Sequence, residues 1–241
     1  MEAKTPLAQF VSWIENNLRG VRSIIMIELT LRVDLQLLIG FLTASVALAL
    51  MPGPDNIYVL TESISKGWRQ GVGITTGLVS GVLIHTTLVA TGLSVIVFES
   101  EMAFNILKVL GTLYLLYMAY GAFKEPAMNV EIGPLSNREP LLKLVRKGFW
   151  MNVLNPKVTL FFMVLLPQFV SNDVNAWSPM VQMIILGLVF ILCSFLVFSG
   201  IALVAGSLAA VIKNPRFWVI TKWIKVVVLI ALALVLVMSR V

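Results

Sequence analysis

Two oppositely charged residues, Asp55 and Lys157, lie inside stretches of the chain that are otherwise apolar. Each directly follows a proline, Pro54 in the first case and Pro156 in the second. An ionisable side chain is expensive to place in hydrocarbon, so such a residue in a membrane segment predicts a functional site. A carboxylate can hold an ammonium group, and a lysine can hold a carboxylate. Together the two residues predict a site for a zwitterion.

The backbone around both charges is predicted to be broken. Pro52, Gly53 and Pro54 precede Asp55, and Pro156 interrupts the second apolar stretch. Proline removes helical hydrogen bonds, and glycine permits conformations that other residues avoid. Inside hydrocarbon such a break survives only where it is buried in protein or lines a polar cavity. Paired breaks in corresponding helices of two halves are the best sequence indicator of a transporter site.

Three asparagines lie near the charged pair, and we expect them to orient a bound ligand. Asn56 follows the first break, and Asn152 and Asn155 flank the second. Their amides supply hydrogen-bond donors and acceptors. A simpler interpretation is that Asp55 and Lys157 pair with each other and lock two halves of the protein together, since intramembrane charges usually find partners. Both interpretations stay open at this point.

A ladder of small residues precedes the only histidine. Gly73, Gly77, Gly81 and His85 are four residues apart, and therefore lie on nearly one face of a helix. Small residues at this spacing let two helices approach closely, which predicts tight packing and makes a homodimer plausible. An imidazole in mid-span can relay protons, or it can be a satisfied polar contact, and both roles are compatible with the sequence.

Composition places the chain in a bilayer. Of its 241 residues 59% are hydrophobic and 12% charged, against about 25% charged in soluble domains. The mean hydropathy is +0.94. The net charge of +6 does not indicate nucleic acid, because the basic residues cluster in short stretches between apolar segments, as membrane-flanking anchors do. Lipid, rather than nucleic acid, is the expected partner.

Few residues are available for catalysis or metal binding. The single cysteine, Cys193, leaves no internal disulfide and no cysteine-rich metal site. One histidine leaves no histidine-cluster motif, and neither HExxH nor GxSxG occurs. An isolated Asp55 lacks the paired carboxylate of an aspartic protease. We therefore expect no catalytic residue, no metal and no cofactor, and a protein that is not an enzyme.

The apolar segments predict an all-α, polytopic membrane protein. A transmembrane helix needs about 20 mostly apolar residues. Six segments qualify, namely 35–62, 71–97, 102–123, 148–170, 178–211 and 217–239. The first and fourth are the proline-broken ones. A proline-containing, charged linker at 124–147 divides a single membrane domain, 34–241, into three-helix halves at 34–123 and 148–241.

The first 33 residues differ from the rest. Apolar residues recur there at helical spacing, with polar residues falling elsewhere, which predicts an amphipathic helix lying on the membrane surface. No apolar core followed by a small-residue cleavage site is apparent, so we expect no cleaved signal peptide. The alternative is a natural start at Met26, with the preceding residues as an extension.

Basic residues predict the orientation of the spans. Short cytoplasmic loops carry an excess of Lys and Arg. The regions after spans one, three and five hold ten of them: Lys66, Arg69, Lys124, Arg138, Lys143, Arg146, Lys147, Lys213, Arg216 and Lys222. The opposite side has few, although the basic residues of the N-terminal stretch count against this assignment. We expect both termini outside and the 124–147 loop in the cytoplasm.

Four motifs in consistent order resemble one known family. They are Met51-Pro-Gly-Pro-Asp-Asn, the glycine ladder, the stretch from Leu107 to Tyr117, and Phe149-Trp-Met-Asn-Val-Leu-Asn-Pro-Lys followed by Leu166-Pro-Gln-Phe. From about residue 34 to the C-terminus the chain resembles the lysine exporter (LysE) family, which also includes homoserine and threonine exporters. The N-terminal stretch 1–30 departs from the family, whose members generally begin close to span one.

The resemblance implies a bacterial inner-membrane protein that exports amino acids by using the proton-motive force. The family's Pro-Gly-Pro-Asp motif maps onto Pro52 to Asp55, and its Asn-Pro-Lys motif onto Asn155 to Lys157. In this interpretation Asp55 binds the ammonium group or couples protons, Lys157 binds the carboxylate, and His85 is an optional proton relay. The alternatives are an exporter of another small cation or metabolite, and a membrane scaffold that transports nothing.

Overall fold

Most of the described residues of the protein lie in helices. The computed structural model describes residues 34–93, 100–124, 138–171, 173, 176–212 and 214–238, and none of these residues lies in a strand. The α-helices are α1 (Leu35–Leu50), α2 (Pro54–Lys66), α3 (Trp68–Leu88), α4 (Glu101–Lys124), α5 (Leu141–Val153), α6 (Pro156–Leu160), α7 (Pro179–Ile212) and α8 (Pro215–Met238). The all-α prediction is confirmed. The predicted surface helix at 1–33 lies outside the described residues.

Length and composition identify the membrane spans. Four helical segments are long and apolar enough to cross a bilayer by themselves: Trp68–Gly92, Asn105–Lys124, Pro179–Ala209 and Arg216–Met238. Two further helix pairs qualify together, α1 with α2 and α5 with the helical segment Pro156–Phe169 that begins at α6. Counting each pair as one span brings the described spans to six. This confirms a polytopic membrane protein.

The two bent pairs are the predicted proline breaks. The chain turns by 57° between α1 and α2, and by 52° between α5 and the segment starting with α6. In each case the second helix begins with proline at its first position, Pro54 in α2 and Pro156 in α6. Proline fits there because its missing N–H is one that a helix start leaves unbonded anyway. The residues before it are pushed into extended conformations, as Gly53 and Asn155 are.

The fourth span starts earlier than the sequence suggested. The prediction placed 124–147 between the spans, with the helix starting near Gly148, but α5 begins at Leu141, directly after Pro140. The charged residues of this stretch were the reason for predicting a loop there. Lys143 and Lys147 are helical residues that pair with Glu139, so their charges do not require a loop. Residues 125–137 of the linker lie outside the described residues.

The glycine ladder packs against α5 within the same chain. A Cβ on Gly77 would lie 2.2 Å from the Val145 carbonyl oxygen, and a Cβ on Gly148 would lie 2.2 Å from the Ile74 oxygen. Gly73 and Gly81 likewise face α5 side chains at 2.9 Å. Helix backbones come this close only when neither carries a side chain at the contact. The surface that made a homodimer plausible is therefore covered by α5.

A large apolar core joins the two halves. Aromatic rings form its centre: the centroids of Phe41 and Phe161 are 5.9 Å apart, those of Phe161 and Phe190 5.2 Å, and those of Phe162 and Phe190 5.1 Å. Offset and tilted pairs at such distances are favourable beyond the burial of their area. These contacts hold α1, the segment after α6 and α7 together on one side of the breaks.

Replacing Gly77 by alanine should loosen the contact between α3 and α5. A helical glycine-to-alanine change normally stabilises by about 1 kcal/mol. Overpacking against backbone costs about 1–3 kcal/mol, so the net effect at Gly77 should be destabilising. Gly121→Ala is the control, because a Cβ there meets nothing within 4 Å. In detergent we expect Gly77→Ala to melt below wild type and Gly121→Ala at or above it. A Gly77→Ala protein that melts as high as wild type would contradict the packing.

Candidate functional site

Lys157 reaches across the break to the end of α1. Its ammonium donates to the carbonyl oxygens of Leu48, at 3.1 Å, and Met51, at 3.2 Å. The last carbonyls of a helix have no partner inside the helix and carry the negative end of its dipole. The Lys157 ammonium donates hydrogen bonds to these carbonyls and places a positive charge at the negative end of the dipole. Asn56 completes the arrangement by donating from Nδ2 to the Ala49 oxygen at 2.7 Å.

Asp55 occupies the opposite kind of helix end. It is the second residue of α2, where the unbonded N–H groups and the positive end of the dipole favour a carboxylate. Its side chain is only 2% exposed, and its Oδ2 accepts a hydrogen bond of 2.5 Å from Asn155 Nδ2. The Oδ1 of Asn155 caps α6 by accepting from the Lys157 backbone N–H at 3.0 Å. One asparagine thus connects both breaks.

The two charges are held by opposite halves of the protein and are not a direct ion pair. Lys157, from the second half, binds carbonyls of α1, and Asn155, from the second half, binds Asp55. Among the described side chains, the salt bridges within 4.0 Å do not include one between Asp55 and Lys157. The halves are therefore joined, but through asparagine and backbone rather than through the charge pair considered from the sequence.

His85 and Asn152 lie where α3 meets α5. The Nε2 of His85 is 3.3 Å from the Asn152 backbone oxygen, and the imidazole packs 6.0 Å from the ring of Phe162. His85 is 4% exposed, and it is not among the residues that line the cavity described next. The contact with the Asn152 carbonyl is the satisfied polar contact that the sequence allowed.

A small cavity opens between the breaks. Its volume is about 10 Å³, room for about one water molecule. The residues lining it are Leu48, Ala49, Asp55, Leu78, Val79, Val82, Asn152, Lys157, Val158, Phe190, Ser194 and Phe198. Three predicted site residues line it directly, namely Asp55, Asn152 and Lys157. Asn56, Asn155 and His85 hold those residues or the helix ends around them.

The cavity wall contributed by α7 was not predicted from the sequence. Phe190, Ser194 and Phe198 recur every four residues and face the cavity together. Nothing in the sequence distinguishes Ser194 from the other serines of this long apolar helix. Only the packing of α7 against the two breaks selects it.

A second group of charges, also missed, lies at the far end of α2. Glu139 pairs with Lys66, Lys143 and Lys147 at 2.9–3.0 Å, and Lys66 also pairs with Glu62. Hydrogen bonds from the three lysines lower the pKa of the Glu139 carboxyl to about 2. Because this pKa is lowered, the ion pairs of Glu139 contribute fully to stability above the ordinary pKa of 4.5. That contribution is lost only as the pH falls through about 2. The Glu139 carboxylate is therefore charged at every physiological pH.

Comparison with known proteins assigns the family. The family model described as "LysE type translocator" matches residues 46–240, which include both breaks and every residue that lines the cavity. The chain belongs to the LysE family of translocators. It is thus a membrane transporter and not an enzyme, as the sequence predicted. None of the solved structures matches the chain.

Curated relatives of this LysE family member include named efflux proteins. A homoserine/homoserine lactone efflux protein of Salmonella typhimurium is 32% identical over 177 residues, 73% of this chain and 84% of that protein. A leucine efflux protein of Klebsiella pneumoniae is 29% identical over 166 residues, 66% of this chain and 77% of its own length. An uncharacterized membrane protein of Vibrio cholerae is 27% identical over 183 residues, 76% of this chain and 87% of its own length.

Lys157→Met should destabilise the protein. The variant keeps an unbranched side chain of similar length but leaves the buried Leu48 and Met51 carbonyls without their donor, at about 1–3 kcal/mol for each unsatisfied group. The control is Lys143→Met, which removes a single pair from a side chain that is 62% exposed and should cost about 0–1 kcal/mol. We expect thermal unfolding in detergent to begin several degrees lower for Lys157→Met only. Equal melting of the two variants would contradict this role of Lys157.

Proposed function

We propose that this protein exports amino acids, or close derivatives of them, across the bacterial inner membrane. The observation that carries the proposal is the cavity between the two helix breaks, lined by one buried carboxylate and one ammonium, Asp55 and Lys157. Efflux proteins for homoserine and for leucine among the relatives support the same class of substrate. An α-amino acid carries an ammonium and a carboxylate on one carbon, and so complements both charges.

In this proposal each charged residue exchanges a protein partner for a substrate partner. Asp55 releases Asn155 and accepts the substrate ammonium. Lys157 releases the carbonyls of Leu48 and Met51 and donates to the substrate carboxylate. The exchange keeps every buried charge hydrogen-bonded, which the low dielectric of a membrane interior demands. It also couples binding to motion, because the contacts that are given up are those that connect the two breaks.

The described conformation is closed. A cavity of about 10 Å³ holds no amino acid, so the helices around it must separate before substrate binds. We propose that α2 and α6 move with their breaks while α3 and α5, packed backbone to backbone at Gly77 and Gly148, move as one unit. Gating of one helix bundle against another around a fixed site is a general scheme for transporters built from broken helices.

Protons are the proposed counter-substrate. Asp55 is the one acidic residue that lines the cavity within the described chain, and it can exchange a proton as well as an ammonium group for its hydrogen bond from Asn155. Binding of the one would then require release of the other, which is antiport. His85 stays an optional relay in this scheme, since its contact with the Asn152 carbonyl leads toward the cavity wall.

Asp55→Asn should strongly reduce efflux while leaving folding intact. The change keeps the size of the side chain and removes its charge, so a substrate ammonium loses its partner. Asp34→Asn is the matched control, because Asp34 is an exposed N-cap of α1, a position at which asparagine serves equally well. Cells preloaded with dipeptides should release one or a few amino acids with wild type and with Asp34→Asn. Release should fall at least about tenfold with Asp55→Asn, the loss of roughly one charged hydrogen bond.

The same cells treated with a protonophore test the proton step. Antiport requires that wild-type efflux against a concentration gradient stops when the proton gradient collapses. Full efflux by an Asp55→Asn protein at matched membrane abundance would contradict the proposed role of Asp55 in the site. No difference between wild type and empty vector across a broad amino-acid panel would instead favour another solute, and then a scaffold without transport.

The proposed orientation has both termini outside and the 124–147 linker in the cytoplasm. The structure brings Lys66, Lys143 and Lys147 together around Glu139, so basic residues from the ends of two spans share one side. A C-terminal alkaline phosphatase fusion should be active in cells, because that enzyme needs the periplasm. The same reporter fused after Lys124 is the control and should be inactive. The opposite pattern would invert the topology.

A further inference from the structure

The hydroxyl of Ser194 differs from most others in the spans. Many Ser and Thr side chains of the helices donate to a carbonyl three or four residues earlier, among them Thr61, Ser63, Thr75, Ser80, Thr86, Thr112 and Thr159. This bond satisfies a hydroxyl that has no other partner in an apolar helix. Ser194 Oγ is buried, and it has no such partner among the described residues.

Ser194 also lies at the cavity. Its side chain is 2% exposed and lines the cavity between Phe190 and Phe198, each one helical turn away. A second buried polar atom without a partner, Asn152 Oδ1, belongs to another residue of the same lining. Asn152 comes from the second break and Ser194 from α7, so two independent elements each contribute a residue with an unpaired polar atom to the lining of one small cavity.

The other residues that line the cavity limit which part of a substrate Ser194 Oγ and Asn152 Oδ1 can bind. Asp55 and Lys157 already account for the ammonium and the carboxylate of an amino acid, and most of the other lining residues are apolar. What remains is the substrate side chain. Asn152 Oδ1 is an acceptor, and the Ser194 hydroxyl can donate. A hydroxyl on the substrate side chain is both donor and acceptor, and so satisfies the two atoms together.

We propose that Ser194, with Asn152, determines specificity by hydrogen-bonding a hydroxyl on the substrate side chain. This rests on the proposed function and refines it: small hydroxylated amino acids are preferred over aliphatic ones of the same size. A site built to hydrogen-bond a hydroxyl strongly disfavours the analogue without it, because its own polar groups are then left unpaired. A purely apolar wall cannot discriminate in this way, since it tolerates an added hydroxyl.

The test compares homoserine with norvaline, which has a methyl in place of the hydroxyl. Purified protein in liposomes is supplied with both labelled amino acids together, so that the ratio of transport rates is independent of protein amount. Wild type should favour homoserine by about tenfold or more. Ser194→Ala should reduce that preference to within about threefold, chiefly through slower homoserine transport. Alanine is a good helix former, so α7 should fold normally.

Ser199→Ala is the matched control. Ser199 lies on the same helix and its hydroxyl is likewise buried without a partner, but it is not among the residues lining the cavity. It should keep the wild-type preference. Equal transport of both amino acids by wild type, or an unchanged ratio in Ser194→Ala, would overturn the role of Ser194 and leave amino-acid export standing. Transport of neither amino acid, nor of any other in a broad panel, would overturn both proposals.

Discussion

The unbonded ends of two broken helices are the constraint on which this structure depends. Breaking a membrane helix leaves carbonyls at one end and N–H groups at the other, and lipid can satisfy neither. Here Lys157 and Asn56 bind the carbonyls at the end of α1, while Asp55 lies at the start of α2. Asn155 then ties Asp55 to the second break. Every one of these contacts is also a contact of the candidate site.

The proposed transport site therefore uses the same atoms that stabilise the breaks. The contacts across the breaks are polar, and in the proposed function a ligand with an ammonium and a carboxylate replaces them. The contact between α3 and α5 is of the other kind, because the backbones meet at Gly77 and Gly148 with no side chain between them. In the mechanism that we propose, the polar contacts at the breaks open while the backbone contact between α3 and α5 stays closed.

Much of the fold could be predicted from the sequence, because a lipid environment restricts which residues and backbone conformations a membrane segment can contain. Prolines beside charges in apolar stretches indicated both breaks, and the glycine spacing indicated a close helix contact. Two expectations rested on residues whose neighbours the sequence does not reveal. Lys143 and Lys147 were placed in a linker, but they are helical residues that pair with Glu139. The glycine face suggested a second copy of the chain, but α5 covers it.

The sequence by itself determined the solvent, the helical class, the position of both breaks and the charges at them, because each follows from residue type and local spacing. Only the tertiary structure decided which atoms those charges contact. It separated Asp55 from Lys157 and gave each a partner in the opposite half. It also brought Ser194 to the cavity from a helix whose local sequence marks no site. Such choices depend on how distant segments pack, and residue spacing along the chain does not encode that directly.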